Sequence, residues 1–270
     1  MFVLLCWLGF PILLRSQIRI VANGGASYYK PSNTVVAVRL AWEYYADGIM
    51  VDVFKSKDQQ WFAFRPEGIG EYTTKMYDLR SMKSKKITSL SLRSKFSNTG
   101  LSYHISKLED VISILPQGKY FILSLDDKIT DLRSLMHHLM EHRNAFYFRF
   151  VASDWSTLEY LTKHINVDHI YCRWNGKDAL GITMEKMIEL GIYSLVIDKT
   201  QMNPQVMAWA NKWNIKLHLS LSEHDNGVEV IRDYPNVKSL FTTRPRWVRS
   251  SLLPKNDRNR LKMQTFGLME

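Results

Sequence analysis

Three polar residues at or near the ends of apolar stretches have side chains that could do chemistry: Asn23, Asp52 and Arg65. Asparagine cannot take up or deliver a proton near neutral pH, and arginine stays protonated, so it cannot act as a general base. Asp52 alone is a poor site for a divalent cation, which requires several oxygen ligands. These residue types therefore favour binding of an anion over proton transfer or metal chemistry.

The segment 18–67 must position these residues. An apolar run at 18–22 stops at a Gly-Gly turn, and residues 31–34 begin a helix with apolar residues at mostly helical spacing. Apolar runs at 49–54 and 61–64 predict a second and a third strand. A strand–helix–strand order with short loops is typical of a parallel sheet with helices packed on it.

The same alternation continues along the chain. Further strands are predicted at 120–125, 147–152, 169–174, 194–198, 215–220 and from 237. Helices are predicted from about 105 and at 132–142, 155–164, 183–190, 203–213 and 227–234, with Asn203 capping one of them. The pattern predicts an α/β fold, a (β/α)8 barrel, over residues 17–248 as one domain.

Several short motifs between residues 23 and 66 carry a family resemblance. They are N-G-G-A-S at 23–27, P-S-N-T at 31–34, A-D-G-I-M-V-D-V at 46–53, K-D at 57–58 and F-R-P at 64–66. They resemble, without a gap, the opening H-R-G-A-S, P-E-N-T, A-D-G-I-E-L-D-V, K-D and F-H-D of the glycerophosphodiester phosphodiesterases. The stretch 237–245 resembles the closing V-D-G-I-I-T-D-R-P of that family. The resemblance implies a TIM barrel of the phospholipase C-like phosphodiesterase type.

The resemblance also implies where the catalytic groups of the family would lie. Its two catalytic histidines fall on Asn23 and Arg65, and its arginine falls on Gly24. None of these three residues can replace the acid or the base of the family's mechanism. The sequence therefore gives no confident catalytic residue.

The implied metal site is depleted in the same way. The glutamates that bind metal in the family fall on Ser32 or Met50 and on Ser124, and only the aspartate, Asp52, is retained. We therefore expect no metal cofactor. Mg²⁺ or Ca²⁺ is expected only if the protein retains the family's hydrolase activity.

The residues that replaced the lost groups suggest a ligand site at the barrel mouth. We expect its ligand-binding residues to be Asn23, Asp52, Arg65, Ser124 and Arg244. Such a mouth could hold a phosphate group without a metal ion. The alternative is that Arg65 forms an internal ion pair with Asp52 and fills the vacated site.

The net charge and the residue composition indicate which kinds of partner to expect. The chain has 270 residues and a formal net charge of +10, which favours an anionic partner such as a phosphate ester or an anionic lipid, or a docking role. Nucleic acid is not an expected partner, because no nucleic-acid-binding motif is recognisable. The two cysteines, Cys6 and Cys172, provide neither a disulfide framework nor a metal-ligand spacing.

Three segments outside the strand–helix pattern have their own interpretations. Residues 1–16 are apolar but too short to span a bilayer, and are interpreted as an anchor, a docking segment, an uncleaved signal or a cover on the barrel bottom. Residues 68–104 are a small insertion whose basic run at 80–86 could bind phosphate, and 249–270 are a basic tail. The histidines of helix 132–142 (His137, His138, His142) face away from the mouth in the expected fold, so a metal site there is disfavoured.

Three functions remain open. The first is a catalytically inactive family-like protein that serves as a structural or interaction subunit, with protein partners, in a membrane-associated assembly. The second is a pseudoenzyme that binds a phosphate-bearing ligand or lipid headgroup. The third is a residual enzyme that hydrolyses glycerophosphodiesters to glycerol 3-phosphate and an alcohol. The expected location is a membrane or an organelle, for example the mitochondrion.

Overall fold

Strands and helices alternate along the computed structural model, which describes residues 18–93, 102–125, 131–142, 147–176, 178–234 and 237–253. The strands are β1 (Arg19–Asn23), β2 (Gly48–Lys55), β3 (Trp61–Ala63), β4 (Ser91–Leu92), β5 (Tyr103–His104), β6 (Ser106–Lys107), β7 (Tyr120–Ser124), β8 (Phe148–Ala152), β9 (Ile170–Arg173), β10 (Ser194–Asp198), β11 (Lys216–Ser220) and β12 (Ser239–Thr242). The helices are α1 (Val35–Glu43), α2 (Ser84–Thr88), α3 (Leu108–Ser113), α4 (Leu132–Met140), α5 (Trp155–His164), α6 (Leu180–Glu189), α7 (Pro204–Lys212), α8 (Gly227–Asp233) and α9 (Pro245–Leu252).

Eight of the strands close into a parallel barrel. Their order around it is β1, β2, β7, β8, β9, β10, β11 and β12, and β12 pairs with β1. Every neighbouring pair in this ring is parallel, so all the carboxyl ends of the strands meet at one end of the barrel. The predicted (β/α)8 barrel is confirmed.

The alternation of side chains along each strand builds two apolar layers. In β9, Tyr171 belongs to a cluster inside the barrel, while Ile170 and Cys172 pack in the layer between strands and helices. The inner cluster takes one or two residues from most strands, including Val21 and Met50. Because side chains alternate with a period of two, Arg173 must point inward as Tyr171 does.

Side-chain caps begin several helices where the sequence predicts them. Thr34 accepts a hydrogen bond from the Ala37 amide at 3.2 Å, and Asn203 accepts one from the Val206 amide at 3.0 Å. Both caps satisfy amides that have no partner within the first helical turn. The predicted cap at Asn203 is confirmed.

The third predicted strand exists but does not belong to the parallel barrel. β3 runs antiparallel to β2 and lies outside the eight-stranded ring, where it also pairs with β6. Only residues 56–60 separate β2 from β3, and the Ser56 amide donates to the Gln60 carbonyl at 2.9 Å. A connection this short makes a hairpin, because a parallel pair requires a crossover of about a dozen residues or more.

The predicted insertion has a hydrophobic core of its own. Phe54, Phe62 and Phe64 from the hairpin region pack with apolar residues between 69 and 105, including Ile87. Lys83, Lys85 and Lys86 of the basic run are exposed around α2. The last described helix, α9, extends to Leu252, four residues beyond the predicted boundary at residue 248.

The terminal segments are largely outside the described residues. This holds for residues 1–16 and for most of the predicted basic tail, from residue 254 onward. Within the part of the chain that the structure describes, no helix combines the length and apolarity needed to cross a membrane.

Candidate functional site

The predicted site residues lie at the carboxyl ends of the strands. Asn23 is the last residue of β1 and pairs in register with Met50 of β2, while Asp52 of β2 pairs with Ser124 at the end of β7. This is the end of the barrel at which TIM-barrel active sites are found. The mouth contains cavities of about 320, 260 and 250 Å³, and Asp52 and Arg65 line all of them.

Arg173 is the central residue of this mouth. It ends β9, and its guanidinium donates to the Ser124 Oγ at 3.3 Å and approaches the Met50 Sδ at 2.9 Å. The guanidinium therefore lies between two residues on which the resemblance places metal-binding carboxylates. Arg173 is not among the site residues predicted from the sequence. The signal that could have found it is its position two residues after Tyr171 in the predicted strand 169–174, which places both side chains on the same face.

The charge of Arg173 is only partly balanced. Burial lowers the pKa of its guanidinium, the Asp52 carboxylate raises it, and Arg65 lowers it. An arginine nevertheless stays protonated in proteins. The Arg173 guanidinium is thus a fixed positive charge that is acted on by the Asp52 carboxylate and by a second arginine, Arg65.

Asp52 is held by Asn33. The Asn33 amide Nδ2 donates to Asp52 Oδ2, and the Asp52 backbone amide donates to Asn33 Oδ1, both at 3.1 Å. Asn33 is 1% exposed and has a φ of 64°, a left-handed conformation that asparagine tolerates better than most residues. These two hydrogen bonds attach the loop before α1 to Asp52.

Arg65 does not form the ion pair with Asp52 that was considered as an alternative. Its side chain is exposed, and within the described ranges it has no carboxylate partner. It lies two residues after the end of β3 and lines the same cavities as Asp52. Arg65 is thus available to a ligand, and the interpretation as a neutralising internal pair is wrong.

Arg244 lies at the rim rather than inside the mouth. Its guanidinium lies 4.3 Å from the Tyr28 ring centroid and donates to the Glu223 carbonyl at 3.0 Å. Arg244 does not line the three cavities, although Tyr28 and Glu223 line one of them. Of the five predicted ligand residues, the structure brings together Asn23, Asp52, Arg65 and Ser124.

The loop after β1 explains why Gly24 is a glycine. Its φ is 66°, its amide donates to the Met50 carbonyl at 2.7 Å, and a Cβ there would lie 1.9 Å from the Ser32 Oγ. Any side chain at position 24 therefore requires Ser32 to move. Gly24 and Ser32 both stand where the resemblance places functional groups, so the two replacements fit each other.

Within the described ranges, the residues of this mouth do not form a ligand set that suits a divalent cation. Among the described residues, no three His, Cys, Asp or Glu side chains are grouped so that they could hold a metal ion. Asp198, Glu67, Glu71 and Glu223 also line the mouth cavities. Asp198 accepts hydrogen bonds from the Thr200 amide and hydroxyl at 2.9 and 2.6 Å. A cation beside Met50 and Ser124 would face the fixed charge of Arg173.

The histidines of α4 do not contribute to the mouth. His138 and His142 pack edge to face with ring centroids 5.4 Å apart, on a helix outside the barrel. Burial and the neighbouring His142 lower the pKa of His138, while Glu109 and Glu141 raise it. The pair is part of the helix packing.

Fold and site together define a phosphodiesterase-type (β/α)8 barrel whose mouth carries Asp52, Arg65 and Arg173. The family model described as the glycerophosphoryl diester phosphodiesterase family matches residues 24–251. The chain belongs to this family.

Solved structures share the fold at low sequence identity. A glycerophosphodiester phosphodiesterase from Agrobacterium tumefaciens is 18% identical, with a TM-score of 0.67, over 86% of this chain and 98% of that one. A putative one from Galdieria sulphuraria is 15% identical, with a TM-score of 0.71, over 91% and 98%. A phosphodiesterase from Oleispira antarctica, solved with the product sn-glycerol-3-phosphate, is 14% identical, with a TM-score of 0.71, over 87% and 96%. No curated protein matches the chain.

Proposed function

We propose that the mouth of this barrel binds the phosphate group of a glycerophosphodiester or glycerol phosphate through arginine, without a divalent cation. The observation that carries the proposal is the position of the Arg173 guanidinium between Met50 and Ser124. A guanidinium has five N–H donors, and two of them account for these contacts. The remaining donors and the exposed Arg65 suit a phosphate, which accepts paired N–H bonds from arginine.

We further propose that the protein does not hydrolyse its ligand by the family's metal-dependent mechanism. A phosphodiester must be neutralised before attack, and its leaving alkoxide needs a proton. Arg65 and Arg173 can neutralise the charge of the phosphodiester. Neither Asn23 nor Arg65 can donate and recover the proton that the leaving group needs. The mouth is thereby suited to binding and release.

The test is calorimetric titration with sn-glycerol 3-phosphate in the presence of a chelator. We expect the wild-type protein to bind, and Arg173→Gln to weaken binding at least about ten-fold, since hydrogen bonds to charged groups contribute about 1.5–3 kcal/mol. Arg39→Gln is the matched control, because Arg39 is exposed on α1 and lines none of the mouth cavities. We expect it to bind as the wild type does.

A thermal unfolding curve for each variant separates lost binding from lost folding. If Arg173→Gln does not fold, the exposed Arg65→Gln takes its place in the comparison. Absence of binding in chelator, or equal affinity for the Arg173→Gln and Arg39→Gln variants, would contradict the proposal.

A residual phosphodiesterase is the second candidate function. Family membership over residues 24–251 supports it, and Asp52 retains the family's aspartate. This candidate requires a metal site and an acid–base pair that differ from those of the family. Metal-dependent turnover distinguishes it from the binding function.

A role as a structural subunit of a membrane-associated assembly remains a prediction. It rests on the apolar segment 1–16, the basic tail and the net charge of +10. Its test is the size of the full-length protein on native purification. A stable, soluble monomer without partners would count against it.

A further inference from the structure

A second cavity lies at the opposite end of the barrel from the mouth. Its volume is about 930 Å³, larger than that of any of the three mouth cavities. Its lining includes the first residues of several barrel strands, among them Arg19, Tyr120, Lys216 and Ser239. It therefore opens at the amino-terminal ends of the strands.

Positive side chains dominate this cavity, which we call the basal cavity. Those lining it are Arg19, Lys119, Arg149, Lys216 and Lys238. Two carboxylates, Asp47 and Asp168, also line it. The cations outnumber the carboxylates, so the basal cavity carries an excess of positive charge.

Both carboxylates are already engaged. Asp47 accepts from the Ile20 amide at 2.8 Å and pairs with Arg249 and Lys119, while Asp168 pairs with Lys216 at 3.4 Å. Within the described ranges, Arg19, Arg149 and Lys238 have no carboxylate partner. Three lining cations are thus left for an external anion.

Aromatic rings hold the two arginines in place. The Arg149 guanidinium donates to the Tyr171 hydroxyl at 2.6 Å and lies 4.1 Å from the centroid of the Tyr120 ring. The Arg19 guanidinium lies 5.8 Å from the same centroid. Cation–π contacts and the tyrosine hydrogen bond keep these like charges close together before a ligand arrives.

His218 is a buried titratable group that lines the basal cavity beside these cations. Its ring is buried, its Nδ1 lies 2.7 Å from the Ser239 Oγ, and its Nε2 has no partner among the described residues. Burial lowers its pKa to about 3, helped by the charges of Arg149, Lys216, Arg19 and Lys238. A buried imidazole surrounded by these cations stays neutral at physiological pH.

We propose that the basal cavity binds a ligand that carries two or more phosphate groups, either a free phosphorylated small molecule or the phosphorylated headgroup of a lipid. Its volume matches that of a small-molecule site. The uncompensated guanidinium groups are suited to phosphate oxygens, which accept their N–H bonds in pairs. This site is separate from the mouth and does not depend on the function proposed there.

The experiment uses the full chain and two probes. Inositol hexakisphosphate represents the free ligand and is titrated calorimetrically. Phosphatidylcholine vesicles containing phosphatidylinositol 4,5-bisphosphate represent the lipid, with pure phosphatidylcholine vesicles as the blank. We expect Arg19→Gln/Arg149→Gln to weaken binding of the preferred probe at least about ten-fold, because it removes two guanidinium groups that can bond phosphate.

The matched control removes the same charge elsewhere. Arg39→Gln/Arg133→Gln changes two exposed arginines on the outer helices α1 and α4, and we expect it to retain wild-type affinity. A second readout is the NMR titration of His218, whose pKa should rise when a polyanion binds. Binding of neither probe at low salt would overturn the proposal. So would an equal loss of affinity in the two double variants, because that would indicate attraction to the net charge alone.

Discussion

At the scale of single residues, Asn33 couples the backbone of the loop to the carboxylate at the mouth. We expect Asn33→Ala to lower the free energy of unfolding by about 2–4 kcal/mol, because it removes two hydrogen bonds to Asp52 and places alanine at positive φ. Denaturant unfolding measures this change.

The matched variant at the same position is Asn33→Gly, which loses the hydrogen bonds but not the freedom to adopt positive φ. We expect it to be less destabilised than Asn33→Ala. Equal losses in the two variants would show that the left-handed backbone contributes nothing, and a loss below about 0.5 kcal/mol in both would contradict the role given to Asn33.

His218 gives a prediction about pH. Its pKa is lowered to about 3 in the folded protein, against about 6.5 for an unperturbed histidine. Below pH 6.5 the unfolded state binds a proton that the folded state does not, so stability falls with pH down to about 3. The expected slope from this residue is about 1.4 kcal/mol per pH unit.

The measurement compares unfolding free energies between pH 7 and pH 4 for the wild type, His218→Gln and His224→Gln. His224 is exposed, so its replacement should leave the slope unchanged. His218→Gln should make the slope shallower. The same slope in all three proteins would contradict the buried, neutral state of His218.

The sequence predicted the positions of mouth residues correctly where a motif located the end of a strand. Asn23, Asp52 and Ser124 lie together at one end of the barrel because the motif spacing located the strands that carry them. Arg173 was missed because the resemblance assigned no role to that position. Arg244, which was expected close to the mouth, lies at its rim. Its position after a strand does not determine where so long a side chain points.

At the scale of elements, the sequence determined the order of strands and helices better than their pairing. The spacing of apolar residues and the helix-capping residues located the barrel strands and most of the helices between them. The apolar pattern did not predict the antiparallel direction of β3. The length of the connection at 56–60 does indicate it, because a parallel pair needs a much longer crossover. The core of the insertion joins residues far apart in sequence, which no local pattern reveals.

The cap of α7 provides a test at this scale. We expect Asn203→Ala to cost about 1 kcal/mol of stability, because the Val206 amide loses its side-chain acceptor. Asn211→Ala, an exposed change within the same helix, should alter stability by less than about 0.5 kcal/mol. Chemical denaturation of both variants measures the difference, and equal effects would mean that the cap does not stabilise the helix.

At the scale of the whole molecule, the barrel has cavities lined by arginine at both ends, and the basal cavity carries the excess of positive charge. The net charge of +10 predicted an anionic partner but could not locate it. Four arginines without a carboxylate partner among the described residues line these cavities: Arg65 and Arg173 at the mouth, and Arg19 and Arg149 in the basal cavity. The family fold is thus retained, and its mouth combines arginines with several carboxylates.

The central claim is that the mouth works without a divalent cation, and one assay tests it most directly. Turnover of glycerophosphocholine is measured with Mg²⁺, Ca²⁺ or Mn²⁺ and with chelator, for the wild type and Asp52→Asn, alongside thermal unfolding under the same conditions. We expect no metal-dependent turnover and no stabilisation by metal. Metal-dependent turnover that Asp52→Asn abolishes would contradict the claim and establish a phosphodiesterase.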